Sequence, residues 1–250
     1  MQRLRRSLVI CLASAPFILA RAERMVRLAI GEWPPFLSEH LPHYGIGSRI
    51  ITEAFAAQGL RVQYGFFPWR RSLRLAQSGE WDGTALWLKS EARMRDFYFS
   101  EPVMYAEYVF FHRKTMPFDW SQITDLVEYR IGISNDYFYG KEFECAVKAG
   151  LVNVESVPKD ELNLRKLLHG RIDLFPMDRV AGNALLQERF TPEESRLLTA
   201  HPRPLYHDAM YLLLGRKRPQ NRQLTRTFNA GLEGLRASGK LEAYLKEALR

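Results

Sequence analysis

Arg93 stands among aromatic residues and turn signals in the stretch from Pro68 to Pro102, PWRRSLRLAQSGEWDGTALWLKSEARMRDFYFSEP. A planar guanidinium can grip a carboxylate with two parallel hydrogen bonds, so the chemistry suggested is capture of a small polar ligand. The plain alternative for any single arginine is a solvated surface position. Trp33 lies between Glu32 and Pro34, directly after an apolar run, where its ring can cover an apolar or cationic ligand side chain or else cap the core. Trp69 and Trp87 have the same chemistry, but a tryptophan at a helix start or inside an apolar strand packs in the core more often. Arg71 reads as a stem laid over apolar surface.

The elements around these residues alternate between strand and helix. Val26 to Ile30 is a compact apolar strand, Ile46 to Ala57 an amphipathic helix stopped by Gly59, and Val62 to Phe67 a second strand. Trp69 to Gln77 is a helix stopped by Gly79, and Thr84 to Leu88 a short apolar strand, which sets Arg93 just beyond a strand's carboxyl end. Ligands of open α/β sheets bind outside such ends. Tyr105 to His112 and Leu205 to Gly215 are long apolar strands suited to crossing between two lobes.

Between those crossings the rhythm restarts. Strands are predicted at Arg130 to Ser134, Val152 to Val157 and Ile172 to Pro176, and helices at Lys141 to Lys148, Leu162 to Leu168 and Val180 to Arg189. The chain ends in helices at Asn221 to Leu235 and Leu241 to Leu249, broken at Ser238-Gly239. The expected fold class is therefore α/β in two lobes. The first is built from residues 23–111 and 209–250, the second from 112–208.

The first 22 residues carry Arg3, Arg5 and Arg6 ahead of an apolar run from Leu8 to Leu19, and Ala20-Arg21-Ala22 offers small residues for cleavage after Ala22. That is the pattern of a secretory signal, and its run falls short of the roughly 20 residues needed to span a bilayer. Cys11 sits inside the apolar run, which argues against lipidation. Loss of the segment removes Arg3, Arg5, Arg6 and Arg21, leaving 32 basic residues against 28 acidic ones. This scattered excess, without a basic stripe, speaks against nucleic acid as a partner. Only Cys145 remains, so no internal disulfide forms, and it reads as a packed helix residue.

Nucleophile elbow, HExxH and Cys/His metal spacing are missing from the sequence, and no cofactor or metal is expected. His40 and His43 lie in a Pro-rich loop, and His201 and His207 flank Pro202 and Pro204. All four read as solvated loop histidines.

The ordered motifs resemble those of the periplasmic solute-binding proteins of ABC importers, in the class that binds polar amino acids. Gly31-Glu32-Trp33-Pro34-Pro35-Phe36 is similar to the family's aromatic-x-Pro-Phe turn, followed by Pro68-Trp69-x-Arg71 and Gly79-Glu80-x-Asp82-Gly83. Ser90-Glu91-Ala92-Arg93 and Phe99-Ser100-Glu101-Pro102 stand where the family has Thr-Pro-Glu-Arg and Phe-Ser-x-Pro. Gly170-Arg171-Ile172-Asp173 and the later Asp178 match its Gly-Arg-x-Asp and ligand-facing aspartate.

The resemblance implies a type II periplasmic binding fold, each lobe a central sheet flanked by helices, joined by two hinge crossings and closing on its ligand. It implies a monomer in the periplasm that delivers its ligand to an inner-membrane ABC permease. Arg93 would hold a carboxylate and Asp178 an ammonium group, with Trp33, Glu32, Trp69, Trp87, Ser90 and Tyr137 around them. Burying a zwitterion requires a partner for each charge, and placing the two on different lobes completes the pairing only on closure.

The chain departs from the pattern at Ala92, at Ser90, in the spacing from Asp82 to Arg93, and at Asn135-Asp136-Tyr137-Phe138-Tyr139-Gly140, where a Gly-Thr or Gly-Ser turn is usual. Asp136 would repel a nearby carboxylate, and with the loop's aromatics it suggests a cationic or aromatic ligand, or something other than an ordinary amino acid. Two other roles go with the resemblance. One is an enzyme like the dehydratases of cyclic acids, with Glu32 or Asp178 as the acid. The other is a sensor docking on a membrane receptor.

Overall fold

The computed structural model describes residues 25–135 and 137–247. The predicted signal segment, Asp136 and the last residues of the final predicted helix lie outside them. Three parallel strands open the fold: β1 (Met25–Ile30), β2 (Arg61–Phe66) and β3 (Gly83–Trp87), with β1 in the middle. Parallel neighbours need crossover connections. α1 (Ile46–Ala56) and α2 (Trp69–Ser78) supply them. Gly79 ends α2 in the left-handed region at φ 82°, which a side chain would resist. Leu28 and Ile30 of β1 meet Ile50, Ile51 and Phe55 of α1 in the core.

After β3 come α3 (Glu91–Asp96) and the three-residue β4 (Phe97–Phe99), neither predicted. β5 (Met104–Arg113) then runs antiparallel to β9 (Leu198–Gly215), the 18-residue strand that ties the molecule together. The Tyr211–Gly215 end of β9 pairs with β3 and β4, while the rest pairs with β5 from Met104↔Met210 to Arg113↔Leu198. β5 and β9 are thus the two crossings.

The intervening segment holds the parallel pair β6 (Arg130–Ser134) and β7 (Asn153–Val157), with α4 (Lys141–Lys148) and α5 (Asp160–Leu168). β8 (Phe175–Asp178) adds antiparallel to β5, followed by α6 (Arg179–Arg189) and α7 (Pro192–Leu197). Phe110, Phe111, Ile131, Leu164, Leu167 and Phe175 fill this core. α8 (Asn221–Ala237) and α9 (Lys240–Glu247) return to pack on α1, with Phe228 5.0 Å from Phe55.

Several expectations are corrected here. The strand expected at Ile172 to Pro176 starts at Phe175. Residues before it are held differently, by Leu174 bridging Ile131 and by the Asp173 carboxylate, which pairs with Arg130 at 2.8 Å and Arg113 at 3.2 Å. Those bonds hold Asp173 at a pKa of about 2. β9 begins seven residues before the predicted Leu205, passing through Pro202 and Pro204. Prolines cannot donate to a ladder, and the pairing with β5 shifts register on both sides of Val109, opposite Pro204.

His201 therefore lies in a strand and is buried, its ring 5.1 Å from Phe118 and its Nε2 3.3 Å from Asp119. Cys145 is exposed on α4, since Phe143 and Ala146 form that helix's buried face.

Candidate functional site

A cavity of about 990 Å³ opens between the two halves, with Tyr108 of β5 and Met210 of β9 contributing from the crossings. One wall comes from residues 32–93 and the other from 134–189. Each is formed where strands end in their carboxyl direction.

The first wall is shaped by an irregularity in β3. Its pairing with β9 slips between Ala85 and Trp87, and Leu86 takes φ 58°, a conformation a branched side chain rarely adopts. A regular strand sends alternate residues to opposite faces, yet Leu86, Trp87 and Leu88 all line the cavity. Trp87 is anchored by its indole N–H, which donates to Thr84 Oγ1 at 2.8 Å, and stands edge-on to Trp69 at 5.1 Å.

α3 follows because Ser90 caps it: the Ser90 hydroxyl accepts the Arg93 backbone N–H at 3.3 Å, with Glu91 in the first turn. This short helix delivers the Arg93 side chain to the cavity, its guanidinium carbon 4.6 Å from the Trp87 ring centre. One Nη donates to the Leu88 carbonyl at 2.8 Å. No acidic side chain among the described residues lies within ion-pair distance, and burial alone pulls the guanidinium pKa down from its usual value. Among the described residues, a cation so placed lacks its anion.

Trp33 closes a tight turn, donating its N–H to Leu37 O at 2.7 Å and accepting from Phe36 and Leu37 at 2.9 Å. Its ring packs 4.7 Å from Phe36 yet reaches the cavity. Glu32 is beside it, accepting the Glu39 N–H at 2.9 Å.

The opposite wall centres on Asp160, the first residue of α5. Its Oδ1 accepts from the Ser134 hydroxyl and its Oδ2 from the Tyr137 hydroxyl at 3.2 Å. Burial pushes the Asp160 carboxyl up, and pushes the Tyr137 hydroxyl well above its usual value. The connection after β6 is braced by Tyr139, whose hydroxyl accepts the Ser134 N–H at 2.7 Å, and by Tyr206, whose hydroxyl donates to Phe138 O at 2.9 Å.

Of the residues singled out from sequence, Glu32, Trp33, Trp69, Trp87, Arg93 and Tyr137 line this one cavity. Ser90 does not; its hydroxyl is used as the α3 cap. Asp178 is also off the wall. It is 2% exposed, and its oxygens accept backbone N–H groups from Val180 at 3.0 Å, Ala181 at 2.9 Å and Glu107 at 3.1 Å. Those bonds tie β5 to the start of α6, and burial raises the Asp178 pKa to about 6.

Asp160 and Ser134 were missed. The signal that could have found them is the Val157-Pro158-Lys159-Asp160 junction, a strand's carboxyl end running into a helix, the same rule that singled out Arg93.

Solved structures with this fold are numerous. A histidine kinase sensor domain with similarity to periplasmic binding proteins superposes with a TM-score of 0.74 at 20% identity, over 91% of this chain and 96% of its own. An ancestral arginine-binding protein bound to arginine gives a TM-score of 0.74 at 17% identity, over 90% and 98%. The GluR0 ligand-binding core from Nostoc punctiforme, in complex with L-glutamate, gives 0.71 at 15% identity, over 89% and 98%. No curated protein sequence matches this chain. The family model of the bacterial extracellular solute-binding proteins, family 3, matches residues 27–249. With nearly every described residue inside that match and a two-lobed α/β fold that carries a cavity between its lobes, the chain belongs to the bacterial extracellular solute-binding proteins, family 3.

Proposed function

We propose that this protein binds an amino acid or close analogue in the interlobe cavity, in the periplasm, and presents it to an ABC transporter in the inner membrane. The lobes are residues 23–111 with 209–250, and 112–208, and the exported chain starts after Ala22. The observation that carries the reading is Arg93: a half-buried guanidinium on the cavity wall, stacked on Trp87, with no acidic partner among the described residues. A desolvated cation is tolerated when an anion completes it, and a planar fork suits a carboxylate. Trp33, Trp69 and Trp87 supply aromatic faces for the rest of the ligand.

Proteins of the same fold that act on amino acids support the class, among them the arginine-bound ancestral protein and a substrate-binding protein of an amino acid ABC transporter. A second reading, ligand sensing through a membrane receptor, is favoured by the likeness to a histidine kinase sensor domain. Both share the same binding step.

A thermal-shift screen of the purified protein against the common amino acids tests that step, because a ligand that binds only the folded state raises the melting temperature. A rise with one or a few amino acids, recovered unaltered afterwards, is expected. A flat screen contradicts the reading, and a consumed hit replaces it with catalysis.

A further inference from the structure

The second wall carries a charge of its own that the cavity leaves incomplete. Asp160 accepts from the neutral hydroxyls of Ser134 and Tyr137, and no basic side chain among the described residues lies within ion-pair distance. Two hydroxyl donors do not offset the several kcal/mol of taking a carboxylate out of water. Its neighbour Glu161 is committed to Arg165 at 2.7 Å. Arg93, on the facing wall, is likewise without a counter-charge among the described residues, and the two form no ion pair with each other.

The cavity that both residues line is also lined by the rings of Trp33, Trp69, Trp87 and Tyr137. A ligand that completes both charges must carry a negative and a positive group separated by an apolar stretch. The α-ammonium of an amino acid does not meet this, since it sits one carbon from the carboxylate and must lie beside Arg93. The positive end of a long side chain does.

We propose that Asp160, held by Ser134 and Tyr137, receives the positively charged side-chain end of the ligand, so that the ligand is a basic amino acid whose carboxylate end lies at Arg93. This rests on the amino-acid-binding reading above. Asp178 is not among the residues lining the cavity, and its oxygens already accept three backbone N–H groups. Asp160 acts by touching the ligand; Ser134 and Tyr137 position it.

The test uses matched pairs that differ in that charge: L-arginine with L-citrulline, and L-lysine with L-norleucine. Calorimetric titration of the purified wild type is expected to show a basic member binding at least about tenfold more tightly than its neutral partner, the size of one charged contact. In Asp160→Asn the preference should shrink to within about threefold because the basic member weakens more than the neutral one. Tyr137→Phe should reduce the preference by a smaller factor.

Wild-type protein that prefers the neutral member, or a neutral amino acid outside the pairs, overturns the inference and leaves amino-acid binding standing. So does an Asp160→Asn variant that keeps the preference or loses both members equally. Failure to bind any amino acid overturns the functional reading itself, and the inference with it.

Discussion

Replacing Arg93 with alanine should separate binding from stability, and the sizes follow from its surroundings. In the unliganded protein the side chain makes one charged hydrogen bond, to Leu88 O at 2.8 Å, and a cation–π contact 4.6 Å from the Trp87 ring. These contribute about 1.5–3 and about 0.5–2 kcal/mol. Against them stands the cost of holding an unpaired cation partly out of water, several kcal/mol for a buried ion and less for one half-buried. The two sides nearly cancel, so Arg93→Ala should change the unfolding free energy by no more than about 1–2 kcal/mol.

In the complex the variant leaves a ligand carboxylate buried without its partner, a loss of about 3–5 kcal/mol. At about 1.4 kcal/mol per tenfold, that is a weakening from about a hundredfold to a few thousandfold. Calorimetric titration with the amino acid found in the screen reads the first quantity, and urea unfolding without ligand reads the second. Arg93→Lys keeps the charge and loses the fork, and should fall between wild type and alanine. Binding weakened by less than tenfold, or a stability loss as large as the binding loss, would refute the reasoning.

Three further outcomes follow from other parts of the molecule. Gly231 of α8 faces the Ala54 carbonyl of α1 so closely that a Cβ would collide with it; Gly231→Ala should cost about 1–3 kcal/mol in urea unfolding despite alanine's helix preference, and a neutral result would contradict the α1–α8 packing. Asp178 holds its proton more tightly in the folded protein, at a pKa of about 6, than in the unfolded chain, where 3.8 applies. Its contribution to stability is therefore full at acid pH and lost as pH rises through about 6. Relative to Asp178→Asn, wild type should lose up to about 3 kcal/mol between pH 4 and pH 7, and a pH-independent difference between the two would contradict the burial argument. Trp87 bridges Arg93 and Trp69, so Trp87→Leu should weaken ligand binding about three- to tenfold through the lost cation–π and aromatic contacts, whereas unchanged affinity by titration would remove it from the site.

The opening run from β1 to β3 was readable because local signals and tertiary structure agree there. Compact apolar runs at β1 and β3, helix stops at Gly59 and Gly79, and the Trp33-Pro34-Pro35 turn all mean locally what they do globally. β9 was cut short because prolines at 202 and 204 ordinarily end a central strand, and only the register shifts against β5 show how they are accommodated. His201 was misplaced by the same reasoning. β4, three residues long, has no periodicity to read.

At the site, Arg93 was legible from its position beyond a strand end. The slip at Leu86 was not, although it turns three consecutive residues toward the cavity, because it arises from pairing with β9 and leaves no mark in residue type. Asp178 illustrates the opposite limit. Its place in a motif suggested a ligand contact, but an aspartate at a helix start also caps that helix, and here its oxygens accept the N–H groups of Val180 and Ala181.

The central claim is that Arg93 holds a ligand carboxylate in this cavity, and it is tested most directly from the ligand's side. The tightest-binding amino acid of the screen would be titrated against wild-type protein beside its own α-carboxamide, which has the same shape without the negative charge. A loss of about a hundredfold or more on removing that charge is predicted. Equal affinity for acid and amide would contradict the account.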